Sequence, residues 1–171
     1  DTVACVGLGG VGLNGLLGAK LAGAEKIIAV DISDDKLGFA RQLGATHTVN
    51  ARDKDHVEQI KDLTNGGVDY AFEFSGTIPA TETCYKSIRM GGEVLIVGLS
   101  PSNSLFSFNP SDIVNSEKAI RGSYMGSCVP VRDIPRYIEL YRQGKLPVDK
   151  LINKSIGFDK INDGFDQLTD G

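Results

Sequence analysis

Short, wholly apolar runs alternate with segments of helical periodicity along most of this 171-residue chain. Strands that are apolar on both faces are typical of a parallel sheet covered by helices on both sides. Because parallel crossovers are right-handed, this order predicts an α/β fold with a doubly wound parallel sheet. The predicted strands are residues 2–6, 26–30, 46–50, 68–74 and 93–98, with a strand-like run at 155–158. The predicted helices are residues 10–24, 34–44, 56–64, 79–90, 111–118, 131–144 and 161–168.

The chain contains no internal linker, repeat or low-complexity segment, so residues 1–171 are predicted to form one domain. The net charge of −4 and the absence of any Lys/Arg run argue against a nucleic-acid partner or a membrane partner. Seven glycines interrupt the apolar stretch from Thr2 to Ala24, and no secretory signal precedes it. These features predict a cytoplasmic location.

The cysteine and histidine residues do not form a recognisable metal-binding pattern. Cys5, Cys84 and Cys128 lack C-x-x-C spacing, and the sequence predicts reduced thiols in a core. His47 and His56 are isolated from each other and from the cysteines. A zinc site needs three or four ligands, so none is predicted within this chain.

The stretch GLGGVG (residues 7–12) directly follows the first predicted strand and opens the first predicted helix. Gly7 is expected to form the tight turn, Gly9 to admit a pyrophosphate against the main chain, and Gly12 to pack the helix closely on the sheet. The helix N-terminus, including Gly10 and Val11, offers free N–H groups and a favourable dipole to a phosphate. Val11, Leu13, Leu16, Leu17 and Leu21 are predicted to form the apolar face of this helix.

Asp31 ends the second predicted strand, 24 residues after Gly7. A carboxylate there can accept hydrogen bonds from both adenosine ribose hydroxyls and repel a 2′-phosphate, which predicts NAD rather than NADP. Asp34 and Asp35 reinforce the repulsion. In the alternative interpretation, Asp31 only caps the following helix. Lys36 either reaches the same ribose or is a solvated helix residue.

The end of the fifth predicted strand places Val97, Gly98 and Leu99 at the carboxyl edge of the sheet, which lines the ligand crevice in this fold. Gly98 fits either the crevice or a simple strand end. Glu73 is expected to hydrogen-bond locally rather than act in catalysis. No general base, nucleophile or paired-carboxylate site is recognisable, so no catalytic residue is predicted.

Five segments, distributed from one end of the chain to the other, resemble the coenzyme-binding domain of zinc-dependent medium-chain alcohol dehydrogenases, and the resemblance extends over nearly the whole chain. They read DTVACVGLGGVGL, AVDISDDKLGFARQLGAT, GGVDYAFEFSG, GGEVLIVGLS and FDKINDGFDQLTDG. The resemblance implies a Rossmann fold that binds NAD. The main chain around Gly9 to Val11 would hold the pyrophosphate, and Asp31 and Lys36 the adenosine ribose. Main-chain groups of Val97, Ser123 and Met125 would fix the nicotinamide carboxamide.

The same resemblance implies partners. An edge strand near 119–124 would pair with its symmetry mate in a homodimer, and Leu105, Phe106 and Phe108 would cover that interface or lie in the domain's own core. The catalytic zinc and the cleft for a small alcohol or aldehyde would lie in another domain. The chain is therefore expected to be a single domain excised from a two-domain enzyme, able to bind coenzyme without turning over substrate.

Three other functions are compatible with parts of this pattern. An S-adenosylmethionine methyltransferase usually carries an acidic residue within the first strand, and TVACVG has none. A zinc-free medium-chain reductase using NADPH is disfavoured by Asp31. A free-standing NAD-sensing module differs from the enzyme only in what precedes this domain.

Overall fold

The computed structural model describes residues 1–170 and contains six strands. They are β1 (Thr2–Val6), β2 (Lys26–Asp31), β3 (His47–Asn50), β4 (Val68–Glu73), β5 (Ile88–Ile96) and β6 (Ala119–Gly122). The helices are α1 (Gly10–Leu21), α2 (Asp34–Leu43), α3 (His56–Thr64), α4 (Ile78–Ser87), α5 (Pro110–Ser116), α6 (Pro130–Arg142) and α7 (Ile161–Asp170). Short 3-10 turns lie at Met125–Ser127, Val148–Leu151 and Phe158–Lys160.

The six strands form one parallel sheet with the order β3-β2-β1-β4-β5-β6. This confirms the predicted doubly wound arrangement. The chain runs outward from β1 to β3, then returns to place β4 on the other side of β1. Because all strands are parallel, their carboxyl ends share one edge, and the crevice between β1 and β4 opens there.

Each face of the sheet has its own core. On one face, Ala4, Val6 and Ile28 pack with Ile60 and Cys84 of helices α3 and α4. On the other, a second cluster joins β1 and β2 to α1 and α2; it contains Val3, Cys5, Ile27, Leu16 and Leu37. Successive strand residues point to opposite faces, so both faces of β1 and β2 are buried.

Helix α1 buries a narrower face than predicted. Leu13, Leu16 and Leu17 are buried, whereas Val11 and Leu21 are 60% and 40% exposed. The helix also ends at Leu21 rather than Ala24, because the chain turns at Gly23 with a φ of 80°.

One further predicted boundary and one predicted strand are wrong. The helix predicted over residues 79–90 ends at Ser87, and Ile88 already pairs with Val68 in the sheet. A register shift between Val68 and Tyr70 accommodates the extra residues of β5. The strand-like run at 155–158 is not a strand: Phe158 begins a 3-10 turn that leads into α7.

Residues 97–118 return across the sheet and are anchored on α4. Phe106 packs against the core and contacts Tyr85 edge-on, while Phe108 is half-exposed beside both rings and Leu105 is exposed. The Tyr85 hydroxyl donates a 2.7 Å hydrogen bond to Asp112 of α5. Of the three apolar residues, only Phe106 therefore packs against the domain's own core, and it does so partly buried.

All three cysteines are free thiols; Cys5 and Cys84 are buried and Cys128 is partly exposed. Burial raises the pKa of Cys5 to about 12 and also raises that of Cys84. In the part of the chain that the structure describes, no helix has the length and apolar character needed to cross a membrane.

Candidate functional site

A cleft of about 580 Å³ opens at the carboxyl edge of the sheet, around the ends of β1, β2 and β4. The glycine turn after β1 forms one wall with Gly7 and Gly9. Asp31 and Lys36 contribute from the end of β2 and the start of α2. The structure thus brings four of the residues selected from the sequence into one cleft.

The tight turn at Gly7 has the predicted geometry. Its φ is +91°, a conformation that residues with a Cβ rarely adopt. Its N–H donates a 2.9 Å hydrogen bond to the carbonyl of Val30, which ties the turn to β2. A Cβ here would also lie 2.9 Å from Cβ of Ser75.

The other two motif glycines have opposite environments. A Cβ at Gly12 would lie 1.8 Å from the carbonyl oxygen of Gly7, so this position must be glycine for α1 to pack against the turn. A Cβ at Gly9 would meet nothing within 4 Å, and its φ of −76° suits any residue. The fold itself therefore does not require a glycine at position 9.

The N-terminus of α1 faces outward beside this turn. Gly9, Gly10 and Val11 are exposed. No side chain caps the helix, and its first turn contains no acidic residue. The first N–H groups of a helix lack intrahelical acceptors, and here no carboxylate of the helix itself competes for them. An anion could bind at this position.

Asp31 is 8% exposed and accepts two backbone hydrogen bonds. Its Oδ2 accepts from the N–H of Leu8 at 2.7 Å, and its Oδ1 accepts from the N–H of Ser33 at 3.0 Å. The cap of α2 is Ser33, whose hydroxyl accepts from the N–H of Lys36. The alternative in which Asp31 caps α2 is therefore wrong.

The opposite wall of the cleft was not recognised in the sequence. It includes His56 at the start of α3, Thr77 after β4, and Thr83 and Lys86 of α4. His56 Nε2 lies 2.9 Å from the Thr83 hydroxyl, and Nδ1 lies 2.7 Å from the carbonyl of Asp53. The position of Thr77 could have been inferred, because it follows the strand next to β1 at the crevice.

The residues selected after β5 lie farther along the same edge and do not line the cleft. The N–H groups of Val97 and Gly98 both donate to the carbonyl of Glu73, at 2.9 and 3.0 Å. A Cβ at Gly98 would lie 2.1 Å from the nitrogen of Gly76, so this glycine allows close contact between two turns. Leu99 is 82% exposed.

Ser123 and Met125 follow β6, the edge strand. The Ser123 N–H donates to the carbonyl of Ile96 at 2.9 Å, which extends the pairing between β5 and β6. Met125 is 72% exposed, has a φ of 48° and begins the 3-10 turn. Both residues therefore lie at the carboxyl edge of the sheet, after β6 and next to the end of β5.

The two carboxylates of β4 serve local structure. Glu73 is fully buried, and its Oε1 accepts hydrogen bonds from the Ser75 N–H, the Ser75 hydroxyl and the Gly76 N–H. At the other end of the strand, donation from the Thr2 N–H lowers the pKa of Asp69, which also pairs with Arg89. The expectation that Glu73 hydrogen-bonds locally is confirmed.

Residues 1–170 contain no group of three or more His, Cys, Asp or Glu side chains placed to hold a metal ion. The described residues therefore do not fit a zinc ion. A dinucleotide fits better, because the cleft combines an uncapped helix N-terminus, an open main chain at Gly9 and the carboxylate of Asp31.

Comparison with known families and proteins agrees with this geometry. A family model described as zinc-binding dehydrogenase matches residues 10–143. Alcohol dehydrogenase 2 of Oryza sativa subsp. japonica is 38% identical over 174 residues, which cover 100% of this chain and 46% of the relative. Alcohol dehydrogenase 1 of Zea mays is 37% identical with the same coverage. The chain spans about half the length of the curated relatives it matches.

Solved structures share the fold across the whole chain. Benzyl alcohol dehydrogenase from Acinetobacter calcoaceticus superposes with a TM-score of 0.94 at 38% identity, covering 100% of this chain and 47% of that one. An alcohol dehydrogenase zinc-binding domain protein from Burkholderia ambifaria gives a TM-score of 0.95 at 33% identity, covering 100% and 46%.

Proposed function

This chain belongs to the zinc-binding dehydrogenase family, and from that premise we propose that it is the NAD-binding half of an alcohol dehydrogenase. The full enzyme would oxidise an alcohol or reduce an aldehyde by hydride transfer. The similarity to alcohol dehydrogenases over the whole chain supports this activity, and the cleft at the carboxyl edge supports the role of this half.

The contrast between Gly9 and Gly12 carries the proposal. Gly12 is crowded by the fold, whereas the space beside Gly9 is open. Because Gly9 also lines the cleft, its missing side chain is explained by a ligand that approaches the main chain closely there. We therefore assign the pyrophosphate to Gly9, Gly10 and Val11, at the N-terminus of α1.

Asp31 is the proposed determinant of NAD over NADP. Its carboxylate has room for acceptor contacts beyond its two backbone bonds, because an ionised carboxylate offers about four lone-pair positions. It would accept from the adenosine ribose hydroxyls, and Lys36, which lines the same cleft, would bind the same ribose. A 2′-phosphate would place close to two negative charges beside this buried carboxylate.

The nicotinamide end would extend along the edge of the sheet towards β6. There, main-chain groups of Val97, Ser123 and Met125 would hold the nicotinamide carboxamide, with Gly98 and Leu99 beside them at the edge of the crevice. The bound coenzyme would supply the hydride acceptor, and this chain would supply orientation. A catalytic zinc would be held outside the described residues, which contain no cluster for it.

The proposed assembly is a homodimer in the cytoplasm. Strand β6 ends the sheet, and no strand among residues 1–170 pairs with its outer edge. An exposed edge of this kind can pair with the same strand of a second copy.

The first test is titration with NADH and NADPH, followed by thermal unfolding. At a ligand concentration about one hundred times Kd, the free energy of unfolding should rise by about 2.7 kcal/mol. We expect NADH to reach this stabilisation at a far lower concentration than NADPH does. Equal stabilisation by NADPH and NADH at the same concentration would refute the role of Asp31 and favour a zinc-free NADPH reductase.

The second test compares Gly9→Val with Gly18→Val, because a Cβ at either glycine meets nothing within 4 Å. Gly18 lies farther along α1, away from the cleft. We expect the Kd for NADH to rise at least about tenfold in Gly9→Val and to stay near the wild-type value in Gly18→Val, since a side chain blocks only the first position. Unchanged affinity in both would disprove the assignment of the pyrophosphate.

A further inference from the structure

The shortest hydrogen bond to Asp31 comes from inside the glycine turn. Leu8 lies between Gly7 and Gly9, and its N–H donates to Asp31 Oδ2 at 2.7 Å across 23 residues of sequence. The Leu8 side chain is 1% exposed and belongs to the core on the α1 side of the sheet. The turn is thus held at its centre by a buried charged acceptor.

The other oxygen of Asp31 is equally engaged. Oδ1 accepts from the N–H of Ser33, which caps α2. One carboxylate therefore connects the turn after β1, the end of β2 and the start of α2. A charged acceptor makes such hydrogen bonds stronger than neutral ones.

We propose that Asp31 has a second task, as the positioning residue of the phosphate-binding turn. By holding the N–H of Leu8, it fixes the orientation of the peptide groups that follow at Gly9 and Gly10. This inference rests on the proposed function, because it concerns the same cleft. It differs in assigning to Asp31 an effect on ligands that have no ribose hydroxyl to bind.

Electrostatics and positioning predict opposite effects of removing this carboxylate. A negative charge near a pyrophosphate is repulsive, so its loss alone should tighten the binding of any diphosphate. Loss of the Leu8 hydrogen bond should instead loosen the turn and weaken diphosphate binding. The sign of the change in Kd separates the two.

The experiment measures the Kd of ADP and of 2′,3′-dideoxy-ADP by calorimetry, for the wild type, Asp31→Ala and Asp31→Asn. In Asp31→Ala we expect the Kd for 2′,3′-dideoxy-ADP to rise about tenfold, the size of one lost charged hydrogen bond. The preference for ADP over 2′,3′-dideoxy-ADP should also disappear, which reports the ribose contact separately.

Asp31→Asn keeps an oxygen acceptor for only one of the two N–H donors, so its effect should be in the same direction but smaller. If Asp31→Ala does not fold, the Kd of 2′,3′-dideoxy-ADP for Asp31→Asn tests the positioning role instead. Hydrogen exchange of the Leu8 amide should accelerate in either folded variant. The charge control is Asp35→Asn, on the exposed first turn of α2, which should bind 2′,3′-dideoxy-ADP slightly more tightly.

An unchanged or lower Kd for 2′,3′-dideoxy-ADP in the folded Asp31 variants would overturn the positioning role, even if their preference for ADP disappears. If the wild type binds neither ADP nor NADH, the proposed function fails first. These two failures are distinguished by the wild-type titration alone.

Discussion

Residues 1–96 and residues 97–168 are packed very differently. Every buried apolar side chain that the structure describes lies between Val3 and Val94. Among residues 97–168, one side chain is buried, that of Asp133. It accepts hydrogen bonds from the Val129 N–H and the Arg132 side chain. The first region contains five strands with helices on both faces, whereas the second adds one edge strand and three helices.

Helix α6 shows the difference most clearly. Val131, Ile134, Ile138 and Tyr141 recur at helical spacing and form one apolar stripe. Their exposed fractions are 90%, 51%, 47% and 44%. An amphipathic pattern therefore indicates a helix, but it does not show that the helix buries its apolar face within the chain.

The proposed coenzyme site extends across both regions. Its adenosine side, with Gly9 and Asp31, lies in the packed region. The residues proposed for the nicotinamide, Ser123 and Met125, lie in the exposed region. The adenosine side therefore lies on buried, closely packed strands and helices, and we expect it to provide most of the free energy with which this chain binds the coenzyme.

Truncation of one isoleucine in each region tests the difference in packing directly. Ile28→Ala removes a fully buried side chain of β2 and should lower the free energy of unfolding by about 4 kcal/mol. The same substitution at Ile134, half-exposed on α6, should change it by less than about 0.5 kcal/mol. Urea denaturation measures both. A cost above about 1.5 kcal/mol at Ile134 would mean that α6 is covered in solution.

Two glycines, one in each region, differ in the same way. Gly12→Ala should destabilise the protein by about 3 kcal/mol, because its Cβ would lie 1.8 Å from the Gly7 carbonyl oxygen. Gly122→Ala in β6 meets nothing within 4 Å and should stabilise by about 0.5 kcal/mol, since Gly is costly in a strand. Thermal unfolding of both variants checks the signs; equal effects would contradict the difference in packing.

Tyr85 connects the two regions, because its hydroxyl donates to Asp112 of α5. Tyr85→Phe removes this hydrogen bond and should cost about 1 kcal/mol. The control is Tyr124→Phe, at a position that is 76% exposed, where no change is expected. Chemical denaturation gives the difference, and an equal response of the two variants would show that this bond does not tie α5 to α4.

The smallest effect is confined to the start of α6. Donation from Arg132 and from the Val129 N–H lowers the pKa of Asp133 from 3.8 to about 2. Because the folded-state pKa is lowered, the stabilisation is complete above pH 3.8 and is lost as the pH falls through about 2. The protection factor of the Val129 amide, which corrects for the pH dependence of intrinsic exchange, should fall over this interval. In Asp133→Asn that pH dependence should be absent; its persistence would assign the effect to another group.

The local patterns of the sequence were sufficient for the arrangement of the first region. Apolar residues at both odd and even positions of β1 and β2 predict burial on both faces. The turn at Gly7 and the close packing at Gly12 follow from G-x-G-x-x-G beside a strand and a helix. The boundary between α4 and β5 could not be predicted, because Ile88 is strand only through its pairing with Val68.

Neighbouring residues and a repeating period were enough to predict the parallel sheet, the glycine turn and the acidic residue at the end of β2. Three features emerged only from the folded chain: Asp31 accepts from the N–H of Leu8, Gly9 opens to the cleft, and the apolar stripe of α6 remains exposed. These outcomes depend on contacts between residues distant in sequence, whose geometry no local pattern encodes.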